Sequence, residues 1–563
     1  RVVRLLQLHP VAGGVRHLLD EVAQGELPGP QVLDERDEVP DRVERAGGEA
    51  GGLLGPRQAL PERDALPGGE RPMHGDEANQ AVKTGILMDT GLYQYDPFEH
   101  HGPTLYYMAL PLLRLSGARN FEETTEAAFR LLPVLFGVGL LVLLWPLRQG
   151  LGDGALLWAA LFAAISHGLV YYSRYYVQEM LFVFFLFAVI VFGWRYARSG
   201  KIGWAVLCGA FAGLAQASKE TSVIAFAAMA AALLFTMGPA WWRGEGRTQL
   251  RPGPLAAGIA AALAVCIVFY SSFFTHWRGL LDAILTYTTY LRRADGTGST
   301  GIHDKPWYYY LEILVYFYRT AGPRWSEGLI VGLSGMGALY ALFRRYPKSE
   351  ELTGPDPRLH RFLAWYTLFL LAAFSAVPYK TPWNMLVFLH GMTLLAGLGA
   401  AWLMRIAKYR PAQAAVAALL LAGTALQAQQ TRLGTGVYAA DVRNPYVYAH
   451  TSTALLRLVN RVDEIAAMTP ENREVHINIL RPDGDYWPLP CYLRQYKRVG
   501  YWTQLPERPD ATMIIADTAL RPWLEENLKN KYHIEFFSLR PNVLLFLYIR
   551  QDLWDAFIAS RSG

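Results

Sequence analysis

The chain has 563 residues, of which 52% are hydrophobic, 13% aromatic and only 18% charged, well under the quarter that is typical of soluble domains. A net charge of +5 and a pI near 8.9 fit the Lys/Arg bias of membrane-protein loops better than a nucleic-acid surface. Cys208, Cys266 and Cys491 lie far apart, so neither a disulfide framework nor a zinc site is expected.

Residues 1–70 are rich in Gly, Pro, Arg, Glu and Asp and hold no apolar run long enough to span a bilayer. They also lack the apolar core of a signal peptide. A disordered or non-native N-terminal segment is expected there. From about residue 127 the chain becomes a series of ten spanning runs: 127–147, 154–172, 179–194, 203–217, 220–238, 255–275, 325–343, 361–378, 384–404 and 411–428. One alternate set of connections carries 15 basic residues in short loops, among them Arg148, Arg195, Arg243, Arg247, Arg345, Lys348 and Arg405; the other set carries 9. The first set is therefore expected in the cytoplasm, with residues 73–126 and the tail on the opposite side. Segments 103–116 and 307–319 are too short or too polar to span and read as interfacial helices in an aromatic belt. In the tail, 429–563, β-like runs (VHINIL, ATMIIAD, NVLLFLYI) alternate with the helix-like RPWLEENLKNKY. The expected fold is mainly α: a polytopic helical bundle over 71–428, with a small extracytoplasmic α/β domain after it.

Five polar clusters fall at the expected outer ends of the spans. The first, 74–80, holds the adjacent carboxylates Asp76 and Glu77, which point in different directions, so at most one of them faces a given substrate atom. A solvated turn is the blander reading. The second, 95–103, sets His100 and His101 beside Glu99, a pattern suited to a metal, a phosphate or a polar interface. In the third, 173–179, Arg174 and Glu179 are five residues apart and need not share a helix face; both could simply snorkel. Lys219 and Glu220 form the fourth, almost without a loop between two apolar runs, where charge is costly unless wet or functional. The fifth joins His303, Asp304, Lys305 and Trp307 to Tyr379, Lys380, Trp383 and Asn384, each half containing a proline that fixes an extended turn. Carboxylates and basic groups thus converge on one face of a membrane body. Such a site suits a substrate with a membrane-borne anionic group, held by Lys, Arg and His and acted on by a carboxylate base.

The ordered fragments HGDEANQA, HHGPTLYYMALPLLRL, AFRLLPVLFG, SRYYVQEM, QASKET, HDKPWYYYLEIL and YKTPWN resemble the GT-C membrane glycosyltransferases. The likeness is to the branch of protein O-mannosyltransferases and aminoarabinose transferases. It is nearest a flippase-activity-associated group of bacteria and archaea whose tail carries a motif like WPLPCYLR at 487–494. The resemblance implies a plasma-membrane enzyme of the cell envelope, with a polyprenyl- or dolichyl-phosphate sugar as donor and a glycan, lipid or protein as acceptor. It carries the catalytic carboxylates onto Asp76, as general base, with Glu77 and Glu179. It carries the donor-phosphate contacts onto Arg174, Lys219, His303 and Lys305, with His101 and Lys380 beside them. His101-Gly102-Pro103 stands where relatives often have Lys-Pro-Pro. Relatives also have a spanning helix before the acidic loop, and residues 1–70 stand in its place. No metal ligands are assigned, and a divalent metal is left open. Two other readings are a flippase- or transport-associated protein and a structural partner in an envelope complex. No internal repeat of the kind transporters show is evident, and Asp76, Glu77 and Arg174 are all in place.

Overall fold

A computed structural model describes residues 71–98, 101–242, 251–294, 303–344 and 355–562. The readings of 1–70, Glu99, His100, Arg243, Arg247, Arg345 and Lys348 lie outside the described residues.

The chain before the first span forms two helices, α1 (Gly75–Thr90) and α2 (Thr104–Leu115). The apolar runs then appear as α3 (Glu126–Val142), α4 (Asp153–Ile165), α5 (His167–Tyr172), α6 (Glu179–Ser199), α7 (Ile202–Gln216), α8 (Ser222–Trp242) and α9 (Pro252–Tyr270). After α10 (Gly279–Ala294) and α11 (Tyr309–Val315), the bundle closes with α12 (Gly328–Phe343), α13 (Pro357–Ala376), α14 (Leu386–Ile406) and α15 (Arg410–Thr435). Among the described residues, six helical stretches are long and apolar enough to cross a membrane, and four shorter apolar helices, among them α4, α7 and α12, stand with them. This is a multi-pass membrane protein.

Helix α14 is the central post, with 83% of its most apolar window buried. Backbone approaches too close for any side chain set its neighbours: a Cβ on Gly337 would lie 1.9 Å from the Leu395 carbonyl oxygen, and one on Gly397 2.3 Å from that of Ala155. Small residues allow such contact between helices that gain little from apolar burial in lipid.

Two expectations need correction, and one further helix is added. The run 154–172 is two helices, broken at Ser166, whose hydroxyl donates to Glu327 (2.7 Å) and accepts from the Leu169 N–H. The surface helix expected over 307–319 ends at Val315, because Phe317 and Trp325 exchange backbone hydrogen bonds of 2.9 Å in a β-bridge. The long connection after α9 also contains α10, whose polar and apolar positions alternate with helical spacing rather than forming a run.

The tail carries a five-stranded sheet of order β2-β1-β3-β5-β4: β1 (His476–Leu480), β2 (Arg498–Trp502), β3 (Met513–Asp517), β4 (Tyr532–Arg540) and β5 (Val543–Arg550). β1 pairs in parallel with β2 and β3; β5 pairs antiparallel with β3 and β4. Helices α16 (Ala454–Ala467) and α19 (Gln551–Ser562) pack on it, and the short α17 (Leu489–Tyr492) and α18 (Arg521–Asn527) lie in its connections. Leu455, Val462, Ile477, Ile515 and Leu547 form its dry centre.

Candidate active site at one end of the bundle

All five polar clusters meet at one end of the bundle. The first begins helix α1. His74 is the N-cap: its Nδ1 accepts from the Asp76 N–H (3.0 Å), while the Glu77 carboxylate accepts from the His74 N–H (3.0 Å). This reciprocal box, built on a histidine rather than Ser or Thr, fixes the first turn. With Nδ1 accepting, Nε2–H donates to the Tyr448 carbonyl (3.0 Å). Burial pushes the His74 imidazole below its ordinary pKa.

The two acidic neighbours differ completely. The Asp76 side chain is 55% exposed, with Oδ2 3.7 Å from His74 Nδ1. Glu77 was expected beside it as a catalytic carboxylate; the structure seals it instead. It accepts from Arg71 Nη1 (2.7 Å) and Nη2 (3.0 Å), Arg130 Nε (3.2 Å) and the Tyr176 N–H (3.0 Å), besides His74. Burial alone would raise its pKa, but Arg130 and Arg71 hold it far below the usual carboxylate range. A buried anion shared by two guanidiniums is a fixed strut and has no position free for a substrate proton.

Arg71 ties this strut to the third cluster. Its Nη2 also donates to the Arg174 carbonyl (2.7 Å), and its guanidinium lies 3.8 Å over the Tyr175 ring. Arg174 itself is exposed and donates to the Thr435 carbonyl (2.5 Å). Glu179 pairs instead with Lys219, Nζ to Oε1 at 2.6 Å, and that ammonium also donates to Asn384 Oδ1 (2.8 Å). Both side chains are nearly inaccessible, and Glu179 Oε2 has no hydrogen-bond partner among the described residues. A small cavity lies against the pair, walled by Phe182, Thr221, Phe374 and Trp383.

His101 hydrogen-bonds through Nδ1 to Glu220 (2.9 Å), which Tyr95 also approaches (3.2 Å). The glycine after it is needed: a Cβ on Gly102 would meet the Ala217 carbonyl oxygen at 2.1 Å, and the Gly102 N–H donates to the Ser218 carbonyl (3.1 Å). The segment 101–104 is thus clamped onto 217–218. The two halves of the fifth cluster pair with each other, Lys305 N–H to the Pro378 carbonyl (3.1 Å) and Lys380 N–H to the His303 carbonyl (2.9 Å). The Lys380 ammonium turns inward onto the carbonyls of Lys305 (3.1 Å) and Val377. His303 hydrogen-bonds the Tyr448 hydroxyl (2.7 Å) and packs on the Tyr379 ring.

Sequence reasoning missed Arg71, Arg130, Glu126, Tyr448, Thr451 and His450, which line the same end. The i, i+4 pair Glu126–Arg130 (3.0 Å) is the one local signal among them. Among the described residues no group of three or more His, Cys, Asp or Glu side chains is arranged to hold a metal ion.

The helical bundle and tail sheet are the fold of ArnT from Cupriavidus metallidurans. The structure bound to undecaprenyl phosphate aligns over 86% of this chain and 95% of that one, at 14% identity and a TM-score of 0.58. The apo form aligns over the same shares at 14% identity and a TM-score of 0.54. Residues 100–271 match the family model for dolichyl-phosphate-mannose-protein mannosyltransferases. Among curated proteins none matches the chain by sequence. Over residues 100–271 the chain is thus similar to dolichyl-phosphate-mannose-protein mannosyltransferases, and its fold is the one seen in ArnT.

Proposed function

We propose that the chain transfers a sugar from a polyprenyl-phosphate-linked donor to an acceptor hydroxyl, with inversion, on the extracytoplasmic face of the plasma membrane. The observation that carries this reading is the division between the two acidic neighbours. Asp76 is presented to solvent from a capped helix start, and Glu77 is locked behind it.

Asp76 accepts the acceptor hydroxyl proton as that oxygen attacks the anomeric carbon. The bond from that carbon to the phosphate oxygen breaks, and the bonding pair leaves with the polyprenyl phosphate. This leaving group is a stable anion, so no general acid is required, unlike the glycosidases, which must protonate a poorer one. Arg174, exposed beside the acidic helix, and Lys219, against the small cavity, offset the charge developing on the phosphate. Glu179 orients the Lys219 ammonium. His101, His303, Lys305 and Lys380 complete a basic rim, with His303 and Lys380 holding its loops in shape. The fold shared with an undecaprenyl-phosphate-bound ArnT and the match to dolichyl-phosphate-mannose enzymes support the lipid-phosphate donor. The basic bias of the opposite loops, 15 against 9, supports the orientation.

The test is transfer by purified protein in detergent, from a radiolabelled polyprenyl-phosphate sugar to a panel of glycan, lipid and peptide acceptors. Donor-dependent product without a sealed compartment separates transfer from transport. Asp76→Asn should lower kcat by at least about a hundredfold while membrane insertion persists; wild-type turnover in this variant would overturn the assignment of the base.

A further inference from the structure

We infer that the tail domain is a positioning device for the acidic helix, acting through Tyr492 and Thr451. The inference rests on the reading of Asp76 as the base. Tyr492 lies at the end of α17, in the WPLPCYLR segment, where two cores meet. Leu489 and Leu493 are buried in the tail core, whereas Cys491 belongs to the core of the membrane body, with its Sγ 3.6 Å from Met73 Sδ.

The Tyr492 hydroxyl uses both its capacities here. It accepts from the Met73 N–H (2.8 Å) and donates to Glu126 Oε1 (2.6 Å). Glu126 then pairs with Arg130 (3.0 Å), and Arg130 with Glu77 (3.2 Å). A series of hydrogen bonds and ion pairs therefore runs from the tail to the residue adjoining Asp76. The other side of the same backbone is held too. The Thr451 hydroxyl donates to the Met73 carbonyl (2.6 Å), and the Tyr448 carbonyl accepts from the ring of His74. Tyr492 and Thr451 thus fasten the backbone N–H and carbonyl of Met73, and Tyr448 the Nε2 of His74, in the two residues that lead into α1.

A second fastening steadies the same face. Arg494 donates to the carbonyls of Phe121 (3.2 Å) and Thr124 (2.5 Å), just before α3, the helix that carries Glu126 and Arg130. An exposed carboxylate at a helix start keeps its aim only if the preceding backbone is rigid. Misplacement by about an ångström can cost as much as a hundredfold in rate. Tyr492 and Thr451 are positioning residues: their hydroxyls are engaged by Met73 and Glu126, and they act on Asp76 through the backbone that leads to it.

The experiment compares the full-length Tyr492→Phe, Thr451→Val, Thr451→Ser and Asp76→Asn variants in the detergent transfer assay. Phe keeps the ring and removes both hydrogen bonds. Val keeps the shape of Thr without its hydroxyl, and Ser restores that hydroxyl. The expected result is a fall of about tenfold or more in kcat for Tyr492→Phe and Thr451→Val, with the KM for donor within about twofold of wild type. Thr451→Ser should retain most of the turnover. A purely scaffolding contact would instead lower the amount of folded protein, leaving kcat per folded enzyme unchanged; that outcome, or equal losses for Val and Ser at Thr451, overturns the inference. Loss in Asp76→Asn with wild-type kcat in Tyr492→Phe overturns the positioning role alone. Wild-type kcat in Asp76→Asn overturns the base, and with it the target that the tail is said to position.

Discussion

At the scale of single residues, burial decides which acidic or basic group is chemistry and which is scaffold. Glu77 stays ionised because two guanidiniums outweigh the cost of burying it. Its stabilising effect is present above the ordinary carboxylate range and is lost only as pH falls through its depressed folded value, well outside working conditions. His74 and His450 behave in the opposite sense of charge. Burial is the main cause that lowers both, assisted for His74 by Arg540 and Arg71 and opposed by Asp76 and Glu77. Each is neutral when folded but takes a proton near pH 6.5 when unfolded. Stability is therefore full above about pH 6.5 and falls as the pH drops from there toward the folded values, by up to about 1.4 kcal/mol per unit for each histidine. A thermal-unfolding series in detergent from pH 7.5 to 5.5 should show Tm falling on the acid side. His74→Asn keeps an N-cap oxygen and removes one titrating group, so its acid slope should be shallower. An unchanged slope in that variant would mean that His74 does not contribute to the acid sensitivity.

At the scale of elements, the apolar runs are legible because a span must satisfy its own backbone and so becomes a continuous helix. What the pattern cannot show is a break imposed from afar. Ser166 interrupts α4 and α5 because Glu327, 161 residues away, takes its hydroxyl. Helix α1 is hidden because its capping histidine is an unusual cap and its composition is nearly balanced between polar and apolar. In the tail, β1, β3 and β5 are read from their apolar runs, whereas β2 contains Gly500 and β4 mixes His533, Glu535 and Ser538 among aromatics. The candidate site is legible as residue types at span ends. Its pairings are not: Arg130 reaches Glu77 across 53 positions and Tyr492 reaches Glu126 across 366. His101-Gly102-Pro103 is a case where the structure supplies the reason for a departure from the family pattern. The close approach to Ala217 requires the glycine. Gly102→Ala should force the clamp open and separate His101 from Glu220, at a cost of about 1–3 kcal/mol. A lowered Tm together with lost turnover would bear this out, and an unchanged Tm would show that the backbone there yields freely.

At the scale of the whole molecule, the Glu179–Lys219–Asn384 group binds three parts of the chain at one point: the start of α6, the turn before α8 and the entry to α14. A buried ion pair of this kind is weak support for stability, since desolvation offsets most of the attraction, but removing one partner strands the other. Lys219→Met alone should therefore destabilise by about 3–5 kcal/mol, leaving the Glu179 carboxylate unpaired. Combining it with Glu179→Gln removes both charges and should bring Tm back close to wild type. If the pair serves only to hold the bundle, turnover returns with stability. If Lys219 meets the donor phosphate, the double variant folds but stays slow, with a raised KM for donor. Measuring Tm and kinetics on the same preparations tells the two apart, because only the second case separates recovery of the fold from recovery of the reaction.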